Sequence, residues 1–243
     1  MVRTIFLLLL LVPVLSNAHD GEKHPGNGGV ITDLEMGGLL YDNWPKVAGL
    51  KMDGTQPLYP PNGKKTGKSS WRCKECHGWD YIGKDGRYRS GSHFTGFDGI
   101  LHARGKTEEA LSQSLSGRTA VHDFSTWMSA AQIRALTVFI REGLIDFQEV
   151  ERLLQGSAGG RGRSLYGKAC ASCHGDDGND IDFKDKDGVQ GVGWLANDNP
   201  QETLHKIRWG HPGSDMPSAV VDLSLTDEET VEILRYARSL EQH

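Results

Sequence analysis

The 243-residue chain has only four cysteines, and their spacing places all of them in two pairs. None is left for a structural disulfide, a thiolate metal ligand or a separate nucleophile. Basic blocks are also absent: 27 Lys and Arg are scattered among 32 Asp and Glu, for a formal charge of -5, which argues against a nucleic-acid partner. Long apolar runs are missing as well. The longest, Ile5 to Leu15, falls short of the roughly 20 residues a membrane span needs. Apolar residues make up 37%, little for one large core. That share suits small domains in which a bound group supplies part of the buried apolar surface.

The cysteines that are present form two copies of one motif, Cys73-Lys74-Glu75-Cys76-His77 and Cys170-Ala171-Ser172-Cys173-His174. A bare C-x-x-C also suits a thioredoxin-like redox pair or half of a zinc site. The adjacent histidine discriminates. Two thiols two residues apart can add across the two vinyl groups of one porphyrin, while the next residue presents an imidazole to the iron. The reading is two covalently attached haem c groups, bound through Cys73, Cys76, Cys170 and Cys173, with His77 and His174 as proximal ligands.

The N-terminus fits this chemistry. Met1-Val2-Arg3-Thr4, the apolar run and Ser16-Asn17-Ala18 read as a secretory signal over residues 1–18. The mature chain is then expected to start at His19, exported and periplasmic, with no membrane span after cleavage. Retention of the segment as an anchor is the alternative. No cysteine near the cleavage point can take a lipid. The remaining 225 residues suit one large or two small domains, and the duplicated motif selects two, residues 19–150 and 151–243.

The second half is the simpler unit. A helical pattern with Gly162 and Tyr166 runs into Cys170, and a Gly- and Asp-rich stretch follows the motif. Asn199-Pro200 starts a middle helix that stops at Gly210, His211 to Pro217 is irregular, and Thr226-Asp227-Glu228-Glu229 is a capping box opening the last helix. This order resembles the class I cytochrome c family: a G-x-x-x-aromatic helix, CxxCH, a middle helix, a Met-Pro loop and a C-terminal helix. The resemblance covers residues 160 to 241 and implies an all-α fold with His174 proximal and Met216 distal. A thioether suits Fe(II), so the chemistry of Met216 agrees with that role.

The first half repeats the plan. Gly37 to Tyr41 matches Gly162 to Tyr166, Thr107 opens a middle helix that stops at Gly117, and Ser129 caps the last helix. Phe139 and Tyr236 each lie ten residues past their caps, and each is expected to pack on the glycine face of its own N-terminal helix. Tyr41, however, precedes Cys73 by 32 residues where Tyr166 precedes Cys170 by four. An insertion at about 42–70, rich in Pro, Gly and Lys, accounts for the difference and reads as a wrapped loop. The whole resembles a two-domain, dihaem cytochrome, cytochrome c4-like in plan.

The halves disagree about the distal ligand. His122 stands five residues after Gly117 much as Met216 stands six after Gly210, whereas Met128 immediately precedes the helix cap, as Leu225 does, and reads as core. His122 is therefore the expected sixth ligand of the first haem, with Met128 the alternative and His93 and His102 weaker candidates. His19, His24, His205, His211 and His243 are expected in solvent, and Trp79 or Tyr81 is expected to serve the haem propionates. A Met ligand raises a haem potential relative to a second imidazole, so electrons should enter at haem 1 and leave from haem 2. The expected role is an electron carrier, not an enzyme, working with redox partner proteins that dock transiently. Two enzymes compete with that reading. Thiosulfate dehydrogenases resemble it in plan but carry a distal cysteine for which no fifth cysteine exists, and a dihaem peroxidase needs a releasable ligand. A third reading, an electron-transfer subunit of a larger dehydrogenase or reductase, rests on Trp44, Leu58, Tyr59 and Trp71 of the insertion as a partner surface, or else as cover for the domain's own core.

Overall fold

Local capping accounts for most of the helices. In the computed structural model, which describes residues 31–117, 122–156, 158–183 and 188–241, α1 (Asp33–Val47) starts where the Thr32 hydroxyl accepts from the Glu35 N–H. The haem motif forms the short α2 (Cys73–His77). Thr107 caps α3 (Glu108–Leu115), and Ser129 with Gln132 closes a capping box on α4 (Ala130–Val138), which a π-turn over Phe139–Gly143 extends. Asp146 caps α5 (Phe147–Leu153), a helix that crosses the boundary expected after residue 150. The second motif lies between α6 (Gly160–Ala169) and its own short helix α7 (Ala171–His174). Then come α8 (Val192–Asp198), α9 (Pro200–Trp209) capped by Asn199, and α10 (Asp227–Ala237) with its Thr226–Glu229 capping box. The described residues contain no strand, only two isolated bridges. None of their helices is long and apolar enough to cross a membrane. The expected signal segment lies outside the described residues, as do His19, His24 and His243.

The internal repeat is geometric as well as sequential. α1 packs on α4 so closely that a Cβ on Gly37 would collide with the Ala135 carbonyl and Phe139 Cβ. α6 packs on α10 in the same way, and a Cβ on Gly162 would collide with the Glu232 carbonyl and come within 3.1 Å of Tyr236 Cβ. Each glycine thus admits the aromatic of its own C-terminal helix. The Tyr41 hydroxyl donates to the Gly78 carbonyl (2.5 Å), and the Tyr166 hydroxyl donates to the Gly175 carbonyl (3.0 Å). Gly78 and Gly175 both have φ +80°, the left-handed region that ends each motif helix at its histidine.

The irregular part of the insertion is shorter than expected. Helix α1 continues through Asp42, Trp44 and Pro45 to Val47, kinked at Asn43 (φ -154°, ψ 71°) ahead of the proline. Burial drives this extension: the Trp44 indole N–H donates to the Trp71 carbonyl (2.6 Å), and the Asp42 carboxylate pairs with Arg72. The irregular part, 48–66, wraps back through Trp71, whose indole N–H donates to the Gly54 carbonyl (3.1 Å). Trp44, Tyr59 and Trp71 are buried, so of the four suggested partner-surface residues only Leu58 is exposed. The insertion covers its own half.

Between the halves, α9 reaches into the first half. His205, expected in solvent, is fully buried. Its Nε2–H donates to the Gly38 carbonyl (3.0 Å), and its Nδ1 accepts from the Tyr81 hydroxyl (3.0 Å). Trp209 lies against Gly38 and Phe139. Tyr81 and Trp79 are buried against α9, with Trp79 5.0 Å from the His205 ring and the Tyr81 hydroxyl bonded to His205. His211 is part-exposed, 3.7 Å from Asp42.

Candidate haem sites

The first motif is built from a loop that folds back under its histidine. Gly83 pairs with Asp98 across an isolated antiparallel bridge, and the Lys84 N–H donates to the Phe97 carbonyl (2.8 Å). This brings the Asp98 carbonyl to His77, whose Nδ1–H donates to it at 2.8 Å. With Nδ1 held as the donor, Nε2 carries the lone pair and the ring is oriented, as an imidazole ligand to a metal requires. Burial pushes the His77 pKa down to about 4, the Asp98 carbonyl opposing it, so the ring is neutral at physiological pH.

Facing His77 is His122. The segment carrying it returns alongside the end of α3, with Ser116 bridged to Asp123 and the Phe124 N–H donating to the Leu115 carbonyl (2.8 Å). The two ring centroids lie 6.1 Å apart at 64°. Two metal–nitrogen bonds of about 2 Å each, plus the offset of each nitrogen from its ring centre, span about 6 Å. That separation, beside the free thiols Cys73 and Cys76, fits the donor set of a covalently held haem. Burial lowers the His122 imidazole pKa, with the Ser114 backbone opposing it.

The other candidates are placed elsewhere. Met128 is buried in the apolar core. His93 Nδ1 is 2.9 Å from Glu75 and its ring stacks on Tyr88 at 4.6 Å, while His102 is exposed. Glu75, between the two cysteines, also pairs with Lys74 at 2.5 Å. Burial raises its pKa, but His93 and Lys74 outweigh that and hold the carboxyl down to about 2. This buried ionic group beside the first thioether positions had no sequence signal beyond two charges inside the motif.

At the second motif, His174 ends α7 and Cys173 is exposed. The Asp180 N–H donates to the His174 carbonyl (3.1 Å), as Gly83 does to His77 (3.0 Å). His174 Nδ1 has no partner, and burial lowers its pKa. Phe183, an exposed aromatic, has its ring centroid 6.3 Å from that of His174. Met216 is half-buried on the loop after α9, where its N–H donates to the Ser214 hydroxyl (3.3 Å).

The all-helical fold, the two thiols, the adjacent histidine and the Met-bearing loop define a c-type cytochrome domain. Residues 157–236 match the family described as cytochrome C oxidase, cbb3-type, subunit III. A cytochrome c domain at these residues implies covalently bound haem c and electron-transfer chemistry there. No curated protein and no solved structure matches the chain.

Proposed function

We propose that this protein is an exported, periplasmic dihaem cytochrome of two tandem class I cytochrome c domains, cytochrome c4-like in plan, that carries electrons and is not an enzyme. The observation that carries the reading is the repetition, around both CxxCH motifs, of the same tyrosine-to-glycine hydrogen bond and the same glycine-to-aromatic helix contact. When bound, each haem supplies a reversible one-electron Fe(III)/Fe(II) couple. The first is ligated by His77 and His122, a pairing that their 6.1 Å separation supports, and the second by His174 and Met216.

The protein's contribution is to fix ligand identity and surroundings. The Asp98 carbonyl holds the Nδ1–H of His77 and so leaves the Nε2 lone pair free to ligate, and burial keeps His77 and His122 neutral. An imidazole pair favours Fe(III) more than an imidazole and a thioether do, so the first site holds the lower potential. Each 59 mV or so of difference is tenfold in equilibrium constant, and a gap of about 200 mV makes transfer from the first half to the second effectively one-way. Partners are redox proteins that dock transiently. A second reading, an electron-transfer subunit of a larger redox assembly, draws support from the matched family's description as an oxidase subunit. It predicts co-purification at fixed stoichiometry.

An anaerobic redox titration of the haem-loaded protein, followed in the visible spectrum, tests the assignment. Two steps are expected, and the His122→Met variant should shift only the lower step upward. One high-potential step shared by both haems, unmoved by that substitution, overturns the ligation and the direction.

A further inference from the structure

We infer that the two halves are locked in one mutual orientation by a wedge on α9, and that His205 is the positioning residue that sets the geometry between the two haem sites. The inference rests on the dihaem reading for its electron-transfer consequence, though not for the lock itself.

The wedge is visible by comparison within the chain. Counting back from the glycine that ends each middle helix, His205 and Trp209 of α9 correspond to Ser112 and Ser116 of the first half. Two small hydroxyl residues thus stand where the second half carries two large rings. The receiving surface is equally specific. Gly37 and Gly162 correspond and serve the packing within each half, so Gly38 corresponds to Arg163, which is exposed. A Cβ on Gly38 would approach Trp209 Cγ to 2.5 Å. Gly38 is therefore small for the sake of the other half. Its carbonyl is also the acceptor for His205.

His205 is committed wholly to the first half. A carbonyl can only accept, so Nε2 bears the proton toward Gly38 and Nδ1 accepts from the Tyr81 hydroxyl. Trp79, Tyr41 and Phe139 surround the ring at centroid distances of 5.0, 5.8 and 5.8 Å. Removing Nδ1 takes away the buried Tyr81 hydroxyl's acceptor and removing Nε2 takes away the bond to the Gly38 carbonyl, which is why such a contact specifies one arrangement.

The lock bears on both sites through α1. The same helix places the Leu40 carbonyl 4.0 Å from Cys73 Sγ, the Tyr41 hydroxyl on Gly78, and the Asp42 carboxylate between Arg72, next to Cys73, and His211 on the Met216 loop. Lys46 packs against Gly213 of that loop. Helix α1 is thus a wall common to both haem surroundings, and His205 holds α9 and the following loop against it. Transfer between sites held in this way is sensitive to small displacements.

The test compares Gly38→Arg and His205→Phe with the unaltered haem-loaded protein. His205→Gln is the conservative control, since an amide offers the same donor and acceptor. Solution scattering should show a larger radius of gyration for Gly38→Arg and His205→Phe, and limited proteolysis should cut faster in the segment between α5 and α6. The haem-to-haem rate, measured after rapid photoreduction, should fall about tenfold or more with the haem spectra and equilibrium potentials kept. His205→Gln should restore most of it. Unchanged scattering and proteolysis in His205→Phe, which preserves the ring, overturns the lock. An altered shape with an unchanged haem-to-haem rate overturns the positioning role. Haem counting on the same samples separates the two ideas: one haem per chain would remove the dihaem reading and the rate measurement, while the scattering result would still decide the lock.

Discussion

The two halves hold the same motif on the same pair of crossed helices, yet one site is enclosed and the other open. In the first, burial pushes the Cys73 and Cys76 thiols up to about 12, and a hydrogen-bonded carbonyl orients His77. In the second, Cys170 rises to about 11, Cys173 is exposed, and His174 Nδ1 has no partner. The cause is what lies on top. The first half has the 48–66 wrap and α9 of its neighbour against it, and it replaces the small Ala171-Ser172 of the second motif with a buried Lys74–Glu75–His93 network. With a haem on each motif, a shared scaffold would supply attachment and proximal geometry, while the covering segments would set dielectric and local charge, two of the levers that tune a haem potential.

The comparison is broken most severely by removing one attachment at a time. Cys73→Ser with Cys76→Ser should take haem content from two per chain to one and destabilise the first half by several kcal/mol, on the order of ~3 or more, because a group that completes a core contributes its binding energy to folding. Cys170→Ser with Cys173→Ser should also halve the haem but spare the enclosed site, whose covering segments are protein. Haem content by absorbance of the pyridine complex, together with thermal unfolding of each variant, decides it. Equal losses of stability would deny that the sites differ in enclosure.

Acid should open the molecule at the junction. His205 is neutral and buried, its pKa pushed by burial from 6.5 down to about 4, with Asp42 opposing. An unfolded or undocked chain binds a proton there near pH 6.5, so the stabilisation is complete above about 6.5 and is lost as the pH falls through about 4. Two to three pKa units correspond to about 3 kcal/mol at the low-pH limit. Chemical denaturation between pH 7 and 4 should show this loss in the unaltered protein and a smaller one in His205→Gln. The same slope in both would place the acid sensitivity elsewhere.

Much of this architecture is legible in the residues themselves. The cap at Ser129 and the capping box at Thr226 form as read, and the glycine-to-aromatic matches of Gly37 with Phe139 and Gly162 with Tyr236 become close helix contacts. Those signals are local or strictly periodic. His205 was not legible, because α9 buries Gln201, Thr203, His205 and Arg208 along with its apolar residues. A helix wedged between two halves loses its solvent face, and its polar residues then read wrongly as surface. The end of α1 was misread because Pro45 signals a break, whereas Trp44 and Asp42 gain more from burial and pairing than the kink costs. The Asp98 carbonyl under His77 leaves no trace in sequence, since any residue carries one.

The smallest expected difference lies in the two tyrosines that serve corresponding carbonyls. Tyr41→Phe leaves the buried Gly78 carbonyl with only the Tyr81 N–H at 3.3 Å, and its 2.5 Å bond is the shorter of the two. The loss of one such buried hydrogen bond costs about 0.5–1.5 kcal/mol. Tyr166→Phe removes a 3.0 Å bond to the Gly175 carbonyl, which keeps the Gly178 N–H at 3.2 Å, in a part-buried setting where water can substitute, so its loss should stay at about 0.5 kcal/mol or below. Denaturant unfolding of the two variants measures both, and the haem spectra serve as a check that attachment is intact. A larger loss for Tyr166→Phe would reverse the order of enclosure and put the more solvent-protected motif in the second half.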